Sequence, residues 1–423
     1  MSRNMDLLNS VSDSFTEKTL EDILAKATKD EGQDVRILSW DFGEASAKGD
    51  SYLSTVSRIL VKGEVNGKPT EVKLVVKSLP KNLGRRKTFR SADFFYNEIT
   101  FYEEVIPTFE KFIKSKGQPQ LLNIPRCLAS LIDGENDFIV LEDVTPLGFK
   151  PVTRQNSLDF AQCCFILEAM ARFHAVSLAF KDQNKQEFEI MKSKIKETYF
   201  ADELWEWYKR FHGYSIRITK DALEKEYPGS EAEQKFNSYN FGDLYSKSAE
   251  FCKRTDYPTS VINQGDSWAP NFLVQEIAPN EMQVLMLDFQ LARCVSPVLD
   301  IAFLIYSCTD KQLRDKHFDE FLEIYHKEVS KSIELLGSNP QKLYSWTMFQ
   351  NEVKEQFIHG MIFALEAIPF SMLSEEDSFD LDVIEGENKI DIADVWKVEN
   401  IKTPEGRQRL ADVIVHAEQR GFI

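Results

Sequence analysis

The chain has 423 residues and a net charge of −17, from 51 basic and 68 acidic side chains, with 43% hydrophobic residues, 18 glycines and 15 prolines. That composition can bury a sizeable core and excludes a collagen-like or broadly disordered chain, while the acidity disfavours wholesale binding to DNA or RNA. No run approaches about 18 consecutive apolar residues, the opening MSRNMDLLNSVSDS lacks a secretory layout, and neither the six cysteines nor the six histidines show zinc-type spacing. Reduced core thiols in a cytoplasmic protein are therefore expected.

In chain order, WDFGEASAKGDSYLSTVSRI reads as two strands joined by a loop bracketed by Gly43 and Gly49. The N–H groups of such a loop can cover phosphates, although the spacing matches neither common phosphate-loop pattern and a plain hairpin turn is the simpler reading. SYLSTVSRILVKGEV and TEVKLVVKSLP flank Asn66-Gly67, a strong hairpin signal. RSADFFYNEITFYEEVIP reads as a helix. At about 100° per residue, Glu98 falls among Phe94, Phe101, Tyr102 and Val105 on its apolar stripe. A buried carboxylate needs a partner, and Lys77, at the end of the apolar strand LVVK, is the natural one. The pair reads equally as functional or as a structural ion pair.

DFIVLEDV, residues 137–144, is a short apolar strand ending on carboxylates. The following stretch, through Phe180, has helical periodicity with Asn156 or Ser157 as N-cap. Residues 183–250 are polar and helical, with an aromatic cluster of Trp205, Trp207, Tyr208, Phe211 and Tyr214. A strand-rich first third followed by helices implies an α+β class.

VINQGDSWAPNFLVQEIAPNEMQVLMLDFQLA, residues 261–292, suggests a hairpin centred between Pro279 and Asn280. That register sets Asn271 opposite Asp288, with Cβ atoms about 5 Å apart. An amide oxygen beside a carboxylate suits Mg²⁺, and Asp266 sits in a Gly-containing turn nearby. The competing reading is a surface hairpin with Asx turns. Finally, residues 374–394 carry nine acids against Lys389 alone and read as a solvated acidic loop.

Taken in order, these segments resemble a phosphotransferase of the kinase-like superfamily, and most closely the insect ecdysteroid-kinase-like family, related to choline and aminoglycoside kinases. The family signature H-G-D-x-W-x-x-N is matched by Gln264 to Asn271, and D-F-Q by Asp288 to Gln290. F-x-N-E-I-x-F-Y is matched by Phe95 to Tyr102, V-L-E-D-V by Val140 to Val144, and the following helix by Phe173-His174-Ala175. The resemblance implies a bilobal protein-kinase-like fold: a small β-rich N-lobe over 35–143 after an extension at 1–34, and a large helical C-lobe over 144–423 holding the acidic loop.

It implies ATP and Mg²⁺ as cofactors and a small-molecule hydroxyl acceptor, an ecdysteroid or other sterol or else a choline-like or xenobiotic alcohol. A monomer without nucleic-acid or membrane partners is expected. Lys77 would hold the ATP phosphates with Glu98 orienting it, Gly49 would belong to the phosphate loop, and Glu142, Asp143 and Val144 would meet adenine. Asp266 would be catalytic, and Asn271 and Asp288 would bind the metal. Asp300 would support the catalytic loop or cap a helix, and His174 would be a core histidine. Gln264 stands where the signature has His, which leaves an inactive ligand-binding pseudokinase as the contrasting reading.

Overall fold

The computed structural model describes residues 3–28, 34–43, 53–279, 281–373, 379 and 381–423. Two compact units emerge, both discontinuous in sequence. The first comprises Met1–Glu103, Pro125–Phe149 and Ser374–Asp391; the second comprises Glu104–Ile124, Lys150–Leu373 and Ile392–Ile423. The first is built on an antiparallel sheet and the second is mainly helical, the α+β class that the sequence implies.

In the first unit, β1 (Val35–Phe42), β2 (Thr55–Val65), β3 (Lys68–Ser78), β4 (Cys127–Leu131) and β5 (Phe138–Glu142) lie in the order β1-β2-β3-β5-β4. Val65 pairs with Lys68, and Asn66 and Gly67 have φ of 51° and 72°, the left-handed pair that a two-residue hairpin turn needs. Along β3, Leu74 and Val76 are buried and alternate with Lys77 on the opposite face. The loop between β1 and β2 that contains Gly49 lies outside the described residues.

Residues 1–34 do more than extend this unit. They supply helices Met5–Val11 and Glu17–Thr28, whose Leu8, Val11, Leu20, Ile23 and Leu24 join Trp40, Val61, Leu74 and Val76 in one core. Helical spacing of those apolar residues makes the stripe that the sheet needs. Part of the acidic stretch also groups here and not with the helical half. The Asn82 side chain donates to Ile384 O at 3.2 Å, Gly84 N–H to Gly386 O at 3.2 Å, and Ile390 N–H to Thr88 Oγ1 at 3.0 Å. Asp394, by contrast, pairs with Arg210 in the second unit.

The second unit centres on helix Phe160–Gln183, which packs on Lys311–Leu335, and on the apolar pair Val298–Cys308 and Ile358–Ser371. The first of these helices starts after Asp159, not at Asn156 or Ser157. Asp159 accepts the Gln162 N–H at 2.8 Å and donates its own to the Gln162 side chain at 3.1 Å, a reciprocal cap. By length and composition this helix could cross a membrane, which a search for uninterrupted apolar runs misses, yet 78% of its most apolar window is buried within the protein. All six cysteines are free.

Strands Phe272–Ala278 and Glu281–Met286 form the expected hairpin, with its predicted centre partly outside the described residues at Asn280. The register differs by one residue. Phe272 pairs with Met286 and Glu276 with Met282, but Ala278 pairs with Glu281, so the ladder is irregular between Glu276 and Ala278. A bulge adds one residue to one strand and shifts everything beyond it. Asn271 therefore meets Leu287, whose N–H donates to Asn271 O at 2.9 Å, and Asp288 comes one position later.

Candidate active site

In the first unit, Lys77 Nζ lies 2.9 and 3.0 Å from the two oxygens of Glu98. Glu98 sits on helix Ser91–Thr100 and is 2% exposed. The helical-wheel reading thus identified both the buried carboxylate and its partner. Lys77 is fixed on its strand by neighbours on both sides, pairing with Val56 and Ile139. At the end of β5, Glu142 takes the Arg126 N–H and Nε at 3.0 Å each, and Asp143 takes Arg58 at 2.8 Å. The Glu142 and Asp143 N–H groups donate to Arg126 O and Lys73 O, both at 3.0 Å.

In the second unit the loop from Gln264 to Asn271 is held from beneath by Asp300. Its carboxylate accepts the N–H groups of Gln264 and Gly265 at 2.9 Å each and contacts His174 Nε2 at 3.1 Å. His174, fully buried, meets the Tyr325 hydroxyl at 2.8 Å through Nδ1. A Tyr325–His174–Asp300 relay therefore fixes two consecutive backbone amides. Asp300 lies inside helix Val298–Cys308 and is not its N-cap, so the loop-support alternative is the one realised. Gln264 adds a second brace, its Nε2 donating to Leu287 O at 2.5 Å, next to Asp288.

Gly265 has φ +82°, and a Cβ there would fall 1.9 Å from Leu291 O. Neither strain nor contact can be relieved without moving backbone. Gly265→Ala is accordingly expected to destabilise the protein by at least about 2 kcal/mol in urea unfolding. An unchanged midpoint would show that the loop is not held as described.

Beyond Gly265, half-exposed Asp266 accepts from Asn271 Nδ2 both at its carboxylate, 2.9 Å, and at its backbone oxygen, 2.8 Å. This orients the Asn271 amide with its nitrogen committed to Asp266 and its oxygen on the other side. Asp288 has φ +59° as the chain leaves the hairpin. The donor set of Asn271 and Asp288 is all hard oxygen, which suits Mg²⁺. No group of three or more His, Cys, Asp or Glu side chains suited to a metal occurs among the described residues.

Sequence reasoning missed Glu366. It lies in the apolar helix Ile358–Ser371, 8% exposed, and accepts from the hydroxyls of Tyr199 at 3.0 Å and Tyr208 at 2.5 Å. Burial pushes its carboxyl up to about 8, and the negative charge of Asp266 adds to the effect. The signal was present: a lone acid within MIFALEAIPF, the same anomaly that exposed Glu98. The aromatic cluster is likewise divided. Tyr208 faces Tyr199 and Glu366, Phe211 packs on Phe370 and Trp396, and Tyr214 lies under Arg217.

Comparison with known families matches residues 48–338, more than half of the chain, to the ecdysteroid kinase-like family. A search of curated proteins finds no match. Among solved structures, an ethanolamine kinase from Plasmodium vivax is similar at 14% identity, over 86% of this chain and 92% of its own, with a TM-score of 0.36. A microcompartment-associated aminopropanol kinase is similar at 10% identity, over 93% and 94%, with a TM-score of 0.41. An aminoglycoside phosphotransferase from Streptomyces rimosus, in complex with ADP and streptomycin, is similar at 14% identity, over 68% and 90%, with a TM-score of 0.33.

Proposed function

This chain belongs to the ecdysteroid kinase-like family, and from that membership and the site we propose that it transfers the γ-phosphoryl group of ATP to a hydroxyl of a small acceptor, a sterol such as an ecdysteroid. The observation that carries the reading is the Gln264–Asn271 loop, in which a half-exposed carboxylate is aimed by Asn271 and its backbone is clamped by a buried Asp300. Asp266 accepts the acceptor's proton as the new O–P bond forms and the bond from the γ-phosphorus to ADP breaks. Lys77, aligned by Glu98, holds the α- and β-phosphates. Val144 offers its N–H to adenine, since those of Glu142 and Asp143 are already engaged among the described residues. Asn271 and Asp288 would hold Mg²⁺, which when bound neutralises charge on the phosphates.

The contrasting pseudokinase reading rests on Gln264. Its bond to Leu287 O braces the loop, so the absence of His does not leave the loop unsupported. The free cysteines fit the reducing cytoplasm, where we place the protein as a monomer.

The test is phosphoryl transfer from labelled Mg-ATP across a panel of sterols, cholines and phenolic glycosides. Lys77→Met should weaken ATP binding by at least about tenfold, equivalent to 1.4 kcal/mol, and abolish transfer while circular dichroism stays native. Native-rate transfer by that variant would remove Lys77 from the mechanism.

A further inference from the structure

Helix Leu83–Phe89 is joined to both members of the Lys77–Glu98 pair. Arg90 alone, with φ +55°, separates it from helix Ser91–Thr100, which carries Glu98. That corner is fixed. The Arg90 N–H donates to Arg86 O, the Asp93 N–H donates to Arg90 O at 3.0 Å, and Phe89 and Ser91 are fully buried on either side. From the same short helix, the Arg85 guanidinium donates to Ser54 O at 3.0 Å. Ser54 leads into β2, whose Val56 pairs with Lys77. A shift of helix Leu83–Phe89 therefore reaches Glu98 through the corner and the neighbour of Lys77 through Arg85.

Part of the acidic stretch lies along this helix. Asn82 caps it by accepting the Arg85 N–H at 2.7 Å and donates through Nδ2 to Ile384 O at 3.2 Å. The Gly84 N–H donates to Gly386 O at 3.2 Å, Lys87 Nζ to Glu387 O at 3.0 Å, and the Ile390 N–H to Thr88 Oγ1 at 3.0 Å. The bonds run in the same order along both segments, from one end of the helix to the other. A Cβ at Gly84 would fall 2.8 Å from both Gly386 O and Asn388 O. Glycine in a helix costs about 1 kcal/mol relative to alanine, and at this position it lets a second backbone approach. Charge favours the same docking: the helix and Arg90 carry four cations and no acid, while residues 384–391 carry Glu385, Glu387 and Asp391 against Lys389.

We propose that residues 384–391 are a strap that positions the Lys77–Glu98 pair, clamping helix Leu83–Phe89 so that the Glu98 helix and the start of β2 keep the arrangement that closes the ion pair. A helix of seven residues has little stability of its own in water, so its place depends on what packs against it. The consequence for nucleotide binding rests on the assignment of Lys77 to the ATP phosphates. Asn82 and Thr88 are positioning residues in this scheme and touch neither phosphate nor acceptor.

Two substitutions in the full chain loosen the strap while sparing the helix. Asn82→Asp keeps the cap, because aspartate accepts the Arg85 N–H as well as asparagine does, but it cannot donate to Ile384 O. Thr88→Val keeps the shape of the side chain and removes the acceptor of the Ile390 N–H. Amide hydrogen exchange over residues 384–391 and 91–100, and calorimetric binding of Mg-ATP, are the measurements, with urea unfolding alongside. Exchange should quicken in both segments, and Mg-ATP affinity should fall by at least about tenfold in the double variant, which lacks two hydrogen bonds.

A merely structural segment would lower the unfolding midpoint and leave exchange over 91–100 and nucleotide affinity native. That result overturns the proposal, as does unchanged exchange over 384–391 in the double variant. Native Mg-ATP affinity despite faster exchange in both segments overturns it too. If wild type binds no Mg-ATP, yet exchange over 91–100 quickens with that over 384–391, the strap does position the Glu98 helix and the assignment of Lys77 to ATP fails instead.

Discussion

Asp288→Asn is expected to lower Mg²⁺-dependent phosphoryl transfer by at least about 10³-fold, with the fold intact. Asp288 sits at φ +59°, a left-handed conformation costly for most side chains but well tolerated by asparagine. Asn can therefore occupy the position without strain, and what is lost is one negative charge among hard oxygen donors. Phosphoryl transfer depends on neutralising charge on the phosphate oxygens, and a removed electrostatic stabiliser typically costs about 10²–10³-fold, with loss of metal affinity adding to that. A magnesium titration is the check. Unchanged metal dependence in the variant would detach Asp288 from the metal, whatever happened to the rate.

The position of Asp288 also shows where sequence reasoning reaches its limit. Counting from the hairpin centre set Asn271 opposite Asp288, and the count was sound for a regular ladder. The irregularity between Glu276 and Ala278 shifted the register by one, so that Leu287 faces Asn271. Nothing in QEIAPNE announces a bulge, because the pairing that defines it is a property of two strands together. The stated cross-strand distance between Asn271 and Asp288 does not survive the shift.

Lys77 and Glu98 were legible for the opposite reason. A carboxylate on an apolar helical stripe is a local contradiction that folding must resolve, and the geometry resolves it with the one cation ending a neighbouring apolar strand. Glu366 posed the same contradiction, but Tyr199 and Tyr208 resolve it, and no local pattern ties either to residue 366. The N-terminal helices were missed because their amphipathic stripes are short and gain meaning only when a sheet lies beneath them. The Asp159 cap, three residues before Gln162, could have been preferred to Asn156 by its reciprocal partner.

The comparison of Asp266→Ala with Gln264→His separates an enzyme from a ligand-binding relic. Asp266 is half-exposed, and its carboxylate is aimed by one short bond from Asn271. Removing it should cost about 10²–10⁴-fold in kcat, the usual worth of positioned proton transfer. Gln264 touches neither phosphate nor acceptor in this scheme; it is a positioning residue that ties the loop to Leu287 O. A histidine there restores the family signature and should change kcat by less than about tenfold, or 1.4 kcal/mol of barrier. Both variants should retain Mg-ATP binding in a thermal-shift titration, because neither side chain is assigned to the nucleotide. The ratio of the two effects discriminates better than either rate, since a general loss of folding would depress both together. If wild type turns over no hydroxyl acceptor and Gln264→His gains that activity, the bond to Leu287 is an inadequate brace, and the native chain is a pseudokinase. If Asp266→Ala and Gln264→His cost the same, the loop acts only as scaffold and the proton acceptor lies elsewhere.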